Sequence, residues 1–449
     1  MDHPLAFFDT VRRQHLETQK PAEPSAREPV SKFGGRDKPG MRVVVWGINY
    51  APEMTGIAPC NVRLCEGLAA KGHAVEMVTS FAYYPAWKKL PEDEGKLYRT
   101  DLMNGIPVHR CWHYVPSIVS ALKRIIHEAT FVVSSFLRIL FLATPDVYIV
   151  VSPPLLLGVA AWVAARIKGA PFVFHVQDLQ PDAALGLGML RPNTFTRLLY
   201  LLESIAYAKA NRVSGITRGM VERFRQKGVP DYKLVYFPNS VDAVDPSTFP
   251  ARGSFRRRNG IRPEDFMAVY SGNLGFKQGI EIVVEAAKVF TNGKMKMVIC
   301  GEGSQRGRLA EMIASSGVEK KVLLLPLQDP KSYHEMLVDA DVCLITQQRG
   351  SGGSFFPSKL LTALAFAKPV VTVAEEDSEL YTAHKDGGFG PNVPPEQPGE
   401  LAEVLEKLAA SPRLLHAYSR GARTFVKQFE KSRVLDSFEE SLQSVLKES

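Results

Sequence analysis

The chain has 449 residues, 45% of them hydrophobic, which suits two or three domains with sizeable cores. Lysine and arginine outnumber aspartate and glutamate by 55 to 47. That excess forms no long basic run, which argues against nucleic acid and leaves anionic small ligands or an anionic membrane surface as partners. Five cysteines without a CxxC pair exclude a disulfide framework and a cysteine zinc site, and suit a reducing cytoplasm.

Residues 1–40 mix Asp, Arg, Lys, Glu and Pro, carry no apolar signal-peptide core, and read as a disordered tail ahead of Met41. From Met41 the pattern becomes strand, loop, helix, strand. "RVVVWGI" has the β-branched run of a buried strand. "NYAPEMTG" is a loop, "IAPCNVRLCEGLAAKG" a helix ending at Gly72, and "HAVEMVTS" the next strand. Such βαβ units build parallel sheets. Next comes "SIVSALKRIIHEATFVVSSFLRILFLAT", an unusually apolar helical stretch with Lys123, Arg124 and Arg138 as its cations. A core helix or an interfacial helix would both fit, and core is the better reading of its second half. Trp87, Lys88, Lys89 and Trp112 are candidates for the same interfacial surface. No run of about 18 uncharged apolar residues occurs, so no spanning helix is predicted.

The alternation goes on through "DVYIVVS", "LLLGVAAWVAARIKG", "APFVFHVQD" and "TRLLYLLESIAYAKA" to the short strands "NRVSGIT" and "KLVYFPNS". A segment rich in Pro, Gly and charge then leads into a second alternating half, from "FMAVYSGN" to "PVVTVA", closed by the amphipathic helix "SRVLDSFEESLQSVLKE". The expected architecture is α/β, with two tandem Rossmann-like doubly wound domains facing across a cleft. Residues 41–239 make the N-terminal domain and 240–428 the C-terminal domain, followed by a last helix over 429–449. Ligands of such sheets sit beyond the carboxyl ends of the strands.

Several stretches could carry chemistry there. In "SGNLGFKQG", Gly272, Gly275 and Gly279 let backbone approach a ligand, and Lys277 stands just before a helix. In "FFPSKLLTALAFAKPV" a helix begins near Pro357 with Lys359 in its first turn and no carboxylate before Glu375. A cation at a helix start opposes the helix dipole. Two such cations in one domain are explained together by a multiply charged anion such as a diphosphate. "ICGEGSQRG" places Gly301 and Gly303 after a strand but departs from the dinucleotide fingerprint. "DAD" at Asp339–Asp341 reads as a helix end, not as a metal site. Asp178, near the carboxyl end of "PFVFHV", is a candidate base or sugar-hydroxyl acceptor. His175 reads as a core histidine within that strand.

In order along the chain, "NYAPEMTGIAPC", "VVSPPLLLG", "DLQPDAALGLG", "FPNSVD", "SGNLGFKQGIE", "CGEGS", "ADVCLI" and "PSKLLTALAFAKPVV" resemble family 4 of the GT-B nucleotide-sugar glycosyltransferases. The likeness runs from Met41 to nearly the end, and within the family toward bacterial exopolysaccharide enzymes of the colanic acid type, named as fucosyltransferases. It implies two Rossmann-like domains, a donor held mainly by the second, and a last helix that crosses back to the first. It also implies retention at the anomeric carbon, no cofactor, no required metal, and a nucleotide-sugar donor, with GDP-fucose favoured over UDP-sugars. The implied acceptor is a lipid-diphosphate-linked saccharide, met by a cytoplasmic enzyme at the inner membrane.

By position, Lys277 matches the family's phosphate-binding lysine, and Asn273 stands where many members have arginine. Ser358 and Lys359 match a Pro-Ser-Lys variant. Gly272, Gly301 and Gly303 fall in the donor loops. Thr55, Gly56 and Ile57 form the acceptor-side diphosphate loop, with Ile57 replacing a second glycine. Asp178 is kept, while Gln177 stands where many members have histidine. Ser354 and Thr362 replace two glutamates, of which the second typically holds the ribose. A UDP-sugar epimerase of the same fold, or a non-catalytic binding scaffold, would also accommodate these departures.

Overall fold

The structure, a computed structural model, describes residues 40–448 other than 55, 119, 187–192, 246, 247, 249 and 352–357. Two parallel-rich sheets in tandem organise the chain. The first has eight strands: β1 (Arg42–Trp46), β2 (Ala74–Ser80), β3 (Tyr98–Met103), β4 (Ile106–Cys111), β5 (Val147–Ser152), β6 (Phe172–Val176), β7 (Arg212–Gly215) and β8 (Leu234–Tyr236). Their spatial order is β3-β4-β2-β1-β5-β6-β7-β8. All neighbours run parallel except β3, which pairs antiparallel with β4. This edge hairpin falls in the stretch between Phe81 and Val115, for which no element is predicted from the sequence above. β3 alternates half-buried and exposed residues, so it lacks the continuous apolar run of its neighbours.

Helices α1 (Ala58–Ala70), α2 (Ala121–Phe141), α3 (Leu156–Lys168), α4 (Gln180–Gly186), α5 (Thr194–Lys209) and α6 (Arg218–Gln226) connect these strands. Gly72 follows α1 with φ +90°, a left-handed stop that a side chain would oppose. Helix α2 starts on Ser120, whose hydroxyl accepts from the Lys123 N–H. Its second half is not purely core. Phe131, Val132 and Ile139 are buried against the sheet, whereas Val133, Leu137 and Phe141 face outward.

The second sheet has six strands: β9 (Phe266–Ser271), β10 (Met295–Cys300), β11 (Val322–Leu325), β12 (Val342–Thr346), β13 (Val370–Val373) and β14 (Asn392–Val393). They lie in the order β11-β10-β9-β12-β13-β14, all parallel. Their helices are α7 (Ser254–Arg258), α8 (Glu281–Val289), α9 (Arg306–Ser315), α10 (Pro330–Asp339), α11 (Ser358–Ala365), α12 (Glu379–Gly387), α13 (Pro398–Ala409) and α14 (Pro412–Val426). In each sheet the strand order reverses beside the first strand, which places a crevice at the carboxyl ends of β1 and β5 and of β9 and β12.

The chain crosses between the sheets twice, and the crossings touch. Val241 donates to the Phe429 carbonyl at 2.9 Å, and its own carbonyl accepts from Lys431 at 3.0 Å. Asp242 bridges Lys431 at 2.9 Å and Arg63 of α1 at 3.4 Å. The last helix, α15 (Lys431–Glu448), then lies on the first domain. Its Leu435, Phe438, Leu442 and Val445 join Val43, Val45, Leu64 and Leu68 in one buried cluster. Phe438 stacks on Phe237 at 3.7 Å between ring centroids.

Helix α1 meets α15 at a glycine. A Cβ on Gly67 would come within 2.1 Å of Leu435 Cδ1. Leucine is the better helix former, yet Gly67→Leu should destabilise the N-terminal domain by about 1–3 kcal/mol through overpacking. Chemical denaturation checks this; an unchanged or raised midpoint would contradict the packing.

Candidate active site

The loops that follow β9 and β10 are fastened together. Gly272 N–H donates to the Cys300 carbonyl at 2.9 Å, Leu274 N–H to Glu302 at 2.8 Å, and Gln305 N–H to Leu274 at 2.9 Å. Backbones can approach this closely only without side chains. A Cβ on Gly301 would lie 1.8 Å from the Gly272 oxygen, and one on Gly303 2.4 Å from the Leu274 oxygen. "CGEGS" therefore works as packing for the "SGNLG" loop, as a tight strand-to-helix turn would.

Lys277 sits in a short 3₁₀ turn, Phe276–Gln278, ended by Gly279 at φ +55°. Its carbonyl accepts from Gln348 N–H at 2.8 Å and Ser351 Oγ at 3.2 Å, which ties the turn to the segment after β12. Its ammonium reaches across the cleft to Asp178, with Nζ 3.6 Å from Oδ2. Asn273 does not take part in that contact. A Cβ on Gly275 would meet the Asn273 amide at 2.9 Å and the Gln278 amide at 2.8 Å, so both side chains fold over their own loop.

Lys359 lies in the first turn of α11, alongside Gly272. Its Nζ stands 3.7 Å from the centroid of the Tyr270 ring, whose hydroxyl donates to the Asn273 carbonyl at 2.8 Å. The ring face favours the cation. Burial works against it more strongly and pushes the lysine down to about 7. Ser358 is exposed at the start of the helix. Thr362 is half-buried one turn on and hydrogen-bonds the Tyr333 phenol. Thr55, Ser354 and Pro357 lie outside the described residues.

From the first sheet, Asp178 extends beyond the carboxyl end of β6. Burial raises its pKa, and the Lys277 and Arg124 cations oppose that shift. His175, inside β6, is fully part of the core: its Nδ1 lies 2.9 Å from Ser214 Oγ, and burial holds it down to about 3. Gly56 takes φ +68° beside the Tyr84 ring, and Ile57 caps α1. Glu53 fixes that loop by accepting the N–H groups of Tyr83 and Tyr84, each at 2.9 Å, and the Asn49 amide at 2.8 Å. The carboxylates of "DAD" are engaged in the fold. Asp339 accepts from the Gly253 and Arg256 N–H groups, and Asp341 pairs with Arg256 at 2.6 Å while accepting from Met267 N–H at 2.8 Å.

Three contributors had gone unread in the sequence. Tyr270 reads in the sequence only as part of a strand; its partner Lys359 is 89 positions away, so no local pattern announces the pair. Arg124 was noted as a helix cation but not as a neighbour of Asp178. Arg110, buried between Asp101 at 2.6 Å and the Ala51 carbonyl at 2.6 Å, braces the loop before Gly56 from an unassigned strand.

Comparison with known proteins bears on the family and the fold. Residues 55–240 match the "Glycosyl transferase 4-like domain" family and residues 251–425 the "Glycosyl transferases group 1" family. The colanic acid biosynthesis glycosyl transferase WcaI of Escherichia coli is 33% identical over 347 residues, which is 76% of this chain and 85% of that one. The chain belongs to this glycosyltransferase family and is an enzyme of GT-B fold. Sucrose-phosphate synthase from Thermosynechococcus elongatus superposes with a TM-score of 0.72 at 14% identity, over 91% of this chain and all of that one (100%). Anabaena Alr3699/HepE, solved with UDP-glucose, superposes at 0.67 and 16% identity over 90% of this chain and 100% of its own.

Lys359 generates a pH prediction. Its folded value, about 7, lies below the ordinary lysine value, so its charge is present below pH 7 and is lost as pH rises. A diphosphate bound beside it should therefore lose about tenfold in affinity between pH 6 and pH 8. Calorimetry with UDP and GDP measures this, and Lys359→Met should flatten the profile. A flat wild-type profile would contradict the placement of this lysine.

Proposed function

We propose that the enzyme moves a sugar from a nucleotide diphosphate donor to a lipid-diphosphate-linked saccharide during synthesis of a cell-surface polysaccharide, with retention at the anomeric carbon. The carrying observation is a pair of lysines, Lys277 and Lys359, bordering one glycine-rich loop, with Lys277 facing Asp178 across the cleft. Two cations held on backbone that is itself pinned suit a leaving group that gains charge as its bond breaks. Such preorganised charge can be the largest catalytic contribution.

In the proposed reaction the bond between the anomeric carbon and the diphosphate oxygen breaks. The acceptor oxygen bonds to that carbon on the same face, and its proton passes to the departing phosphate. Asp178 then serves as a sugar-hydroxyl acceptor and need not be the base. Lys277 and Lys359 supply the positive charge, so the reading requires no metal. Gly272, Asn273, Gly301, Gly303, Ser358 and Thr362 border the donor, and Thr55, Gly56 and Ile57 border the acceptor. The name of WcaI favours a polysaccharide role; GDP-fucose is the donor favoured by the resemblance in the sequence, and the HepE complex makes UDP-sugars the alternative.

The lipid-linked acceptor has support on the helices outside the first sheet. Helices α2, α3 and α5 pack side by side and leave Leu122, Leu137, Phe141, Ile167 and Leu201 exposed. Phe141 is 85% exposed. Lys123, Arg138, Arg166 and Arg197 lie on the same helices. Apolar groups framed by cations suit peripheral binding to an anionic bilayer at the inner face of the membrane. Among the described residues no helix is long and apolar enough to cross one.

Two measurements test the proposal. Lys277→Ala should lower turnover by ~10²-fold or more, as loss of one preorganised donor does; near-wild-type turnover would remove the phosphate assignment. Vesicles containing anionic lipid should retain the wild-type protein in a flotation assay, and Leu137→Glu with Phe141→Glu should release most of it. Equal retention of the double variant would contradict the membrane face.

A further inference from the structure

The residue beside Asp178 is used in an unexpected way. Gln177, 8% exposed, does not point at the cleft. Its amide faces that of Asn239 in a reciprocal pair: Gln177 Nε2 donates to Asn239 Oδ1 at 2.9 Å, and Asn239 Nδ2 donates to Gln177 Oε1 at 2.9 Å. The second Nε2 proton goes to His175 Nε2 at 2.8 Å, which leaves the other ring nitrogen to donate to Ser214 Oγ at 2.9 Å. The Gln177 backbone N–H donates to the Ser152 carbonyl at 2.9 Å. Every polar atom on the Gln177 side chain thus has a fixed partner, and its place in the sheet is set from both sides.

Asn239 is the other half of the argument. It lies two residues before Val241, where the two interdomain crossings hydrogen-bond to each other. Gln177 lies one residue before Asp178, which meets Lys277 of the opposite domain at 3.6 Å. The amide pair therefore joins the hinge to Asp178, the carboxylate that meets Lys277 from across the cleft. A two-bond pair has one register, and losing Asn239 leaves the buried Gln177 amide without its partner.

We propose that Gln177 and Asn239 are positioning residues, which transmit the setting of the interdomain hinge to Asp178 and so govern how Asp178 meets Lys277. The role of Asp178 in the cleft is the reading given above, and this inference rests on it. A histidine at 177 could not form the reciprocal pair, so the departure at this position has a structural use.

The test is the interdomain distance in the full chain, measured by electron spin resonance with one label at exposed Tyr232 and one at exposed Val289, in a Cys60→Ser background. Asn239→Ala and Gln177→Ala should each broaden the distance distribution about twofold while circular dichroism stays native. The exchanged pair, Gln177→Asn with Asn239→Gln, conserves total side-chain length and should restore the wild-type width. Asp178→Asn should broaden it too, and adding Asn239→Ala to Asp178→Asn should add nothing, because the pair acts through Asp178. Unchanged widths in Asn239→Ala, an exchanged pair as broad as the single variants, or additive broadening on Asp178→Asn would each overturn the proposal. Turnover of Asp178→Asn tests the underlying reading separately: wild-type turnover would remove the role of Asp178 in the reaction and leave the distance result standing.

Discussion

The contact between Lys277 and Asp178 is the constraint around which the rest is arranged. At 3.6 Å it is longer than a full hydrogen bond, and it joins a loop of the second sheet to a strand end of the first. Each partner is held by its own scaffold. Lys277 sits on a turn pinned from the loop after β12, and Asp178 follows a strand end fixed through Gln177. Lys277 borders both the half-buried Asp178 carboxylate and the glycine-rich loop, so an incoming anion can share it. That is what a site for a doubly charged leaving group requires.

The wider fold serves the same contact. The loops after β6 and β9 meet through Asp178 and Lys277, and those after β9, β10 and β12 are hydrogen-bonded together. Helix α15 ties the chain's end to the first domain by burying Leu435, Phe438 and Leu442, and the paired crossings at Val241 and Phe429 leave one narrow hinge. The cleft is thus bounded by rigid units with little chain between them. An enzyme that must bring a sugar donor and an acceptor together gains from such a joint.

Much of this was legible in the sequence because the signals are local. β-Branched runs, glycine stops and proline loops mark most strands and helices one element at a time, and Lys277 and Lys359 stand out as cations where a helix start prefers anions. What could not be read depends on distant residues meeting. The ring beneath Lys359 comes from Tyr270, the partner of Gln177 from Asn239, and the brace on the Gly56 loop from Arg110. The edge hairpin has a local signal too, the Asn104-Gly105 turn with φ +50° and +79° between alternating runs, which a search for buried parallel strands passes over. The missing glutamates at Ser354 and Thr362 were visible, but the hydrogen bond between Thr362 and Tyr333 was not, since a threonine alone gives no sign of its partner.

The most direct test of the central claim is a crystal structure of the protein with bound nucleotide diphosphate, with UDP and GDP tried in turn. The account predicts diphosphate oxygens within hydrogen-bond reach, about 2.7–3.2 Å, of both Lys277 and Lys359. It also predicts that Lys277 is shared between the phosphate and Asp178. A diphosphate bound away from both lysines would contradict it, and the charge at these two helix starts would then need another explanation.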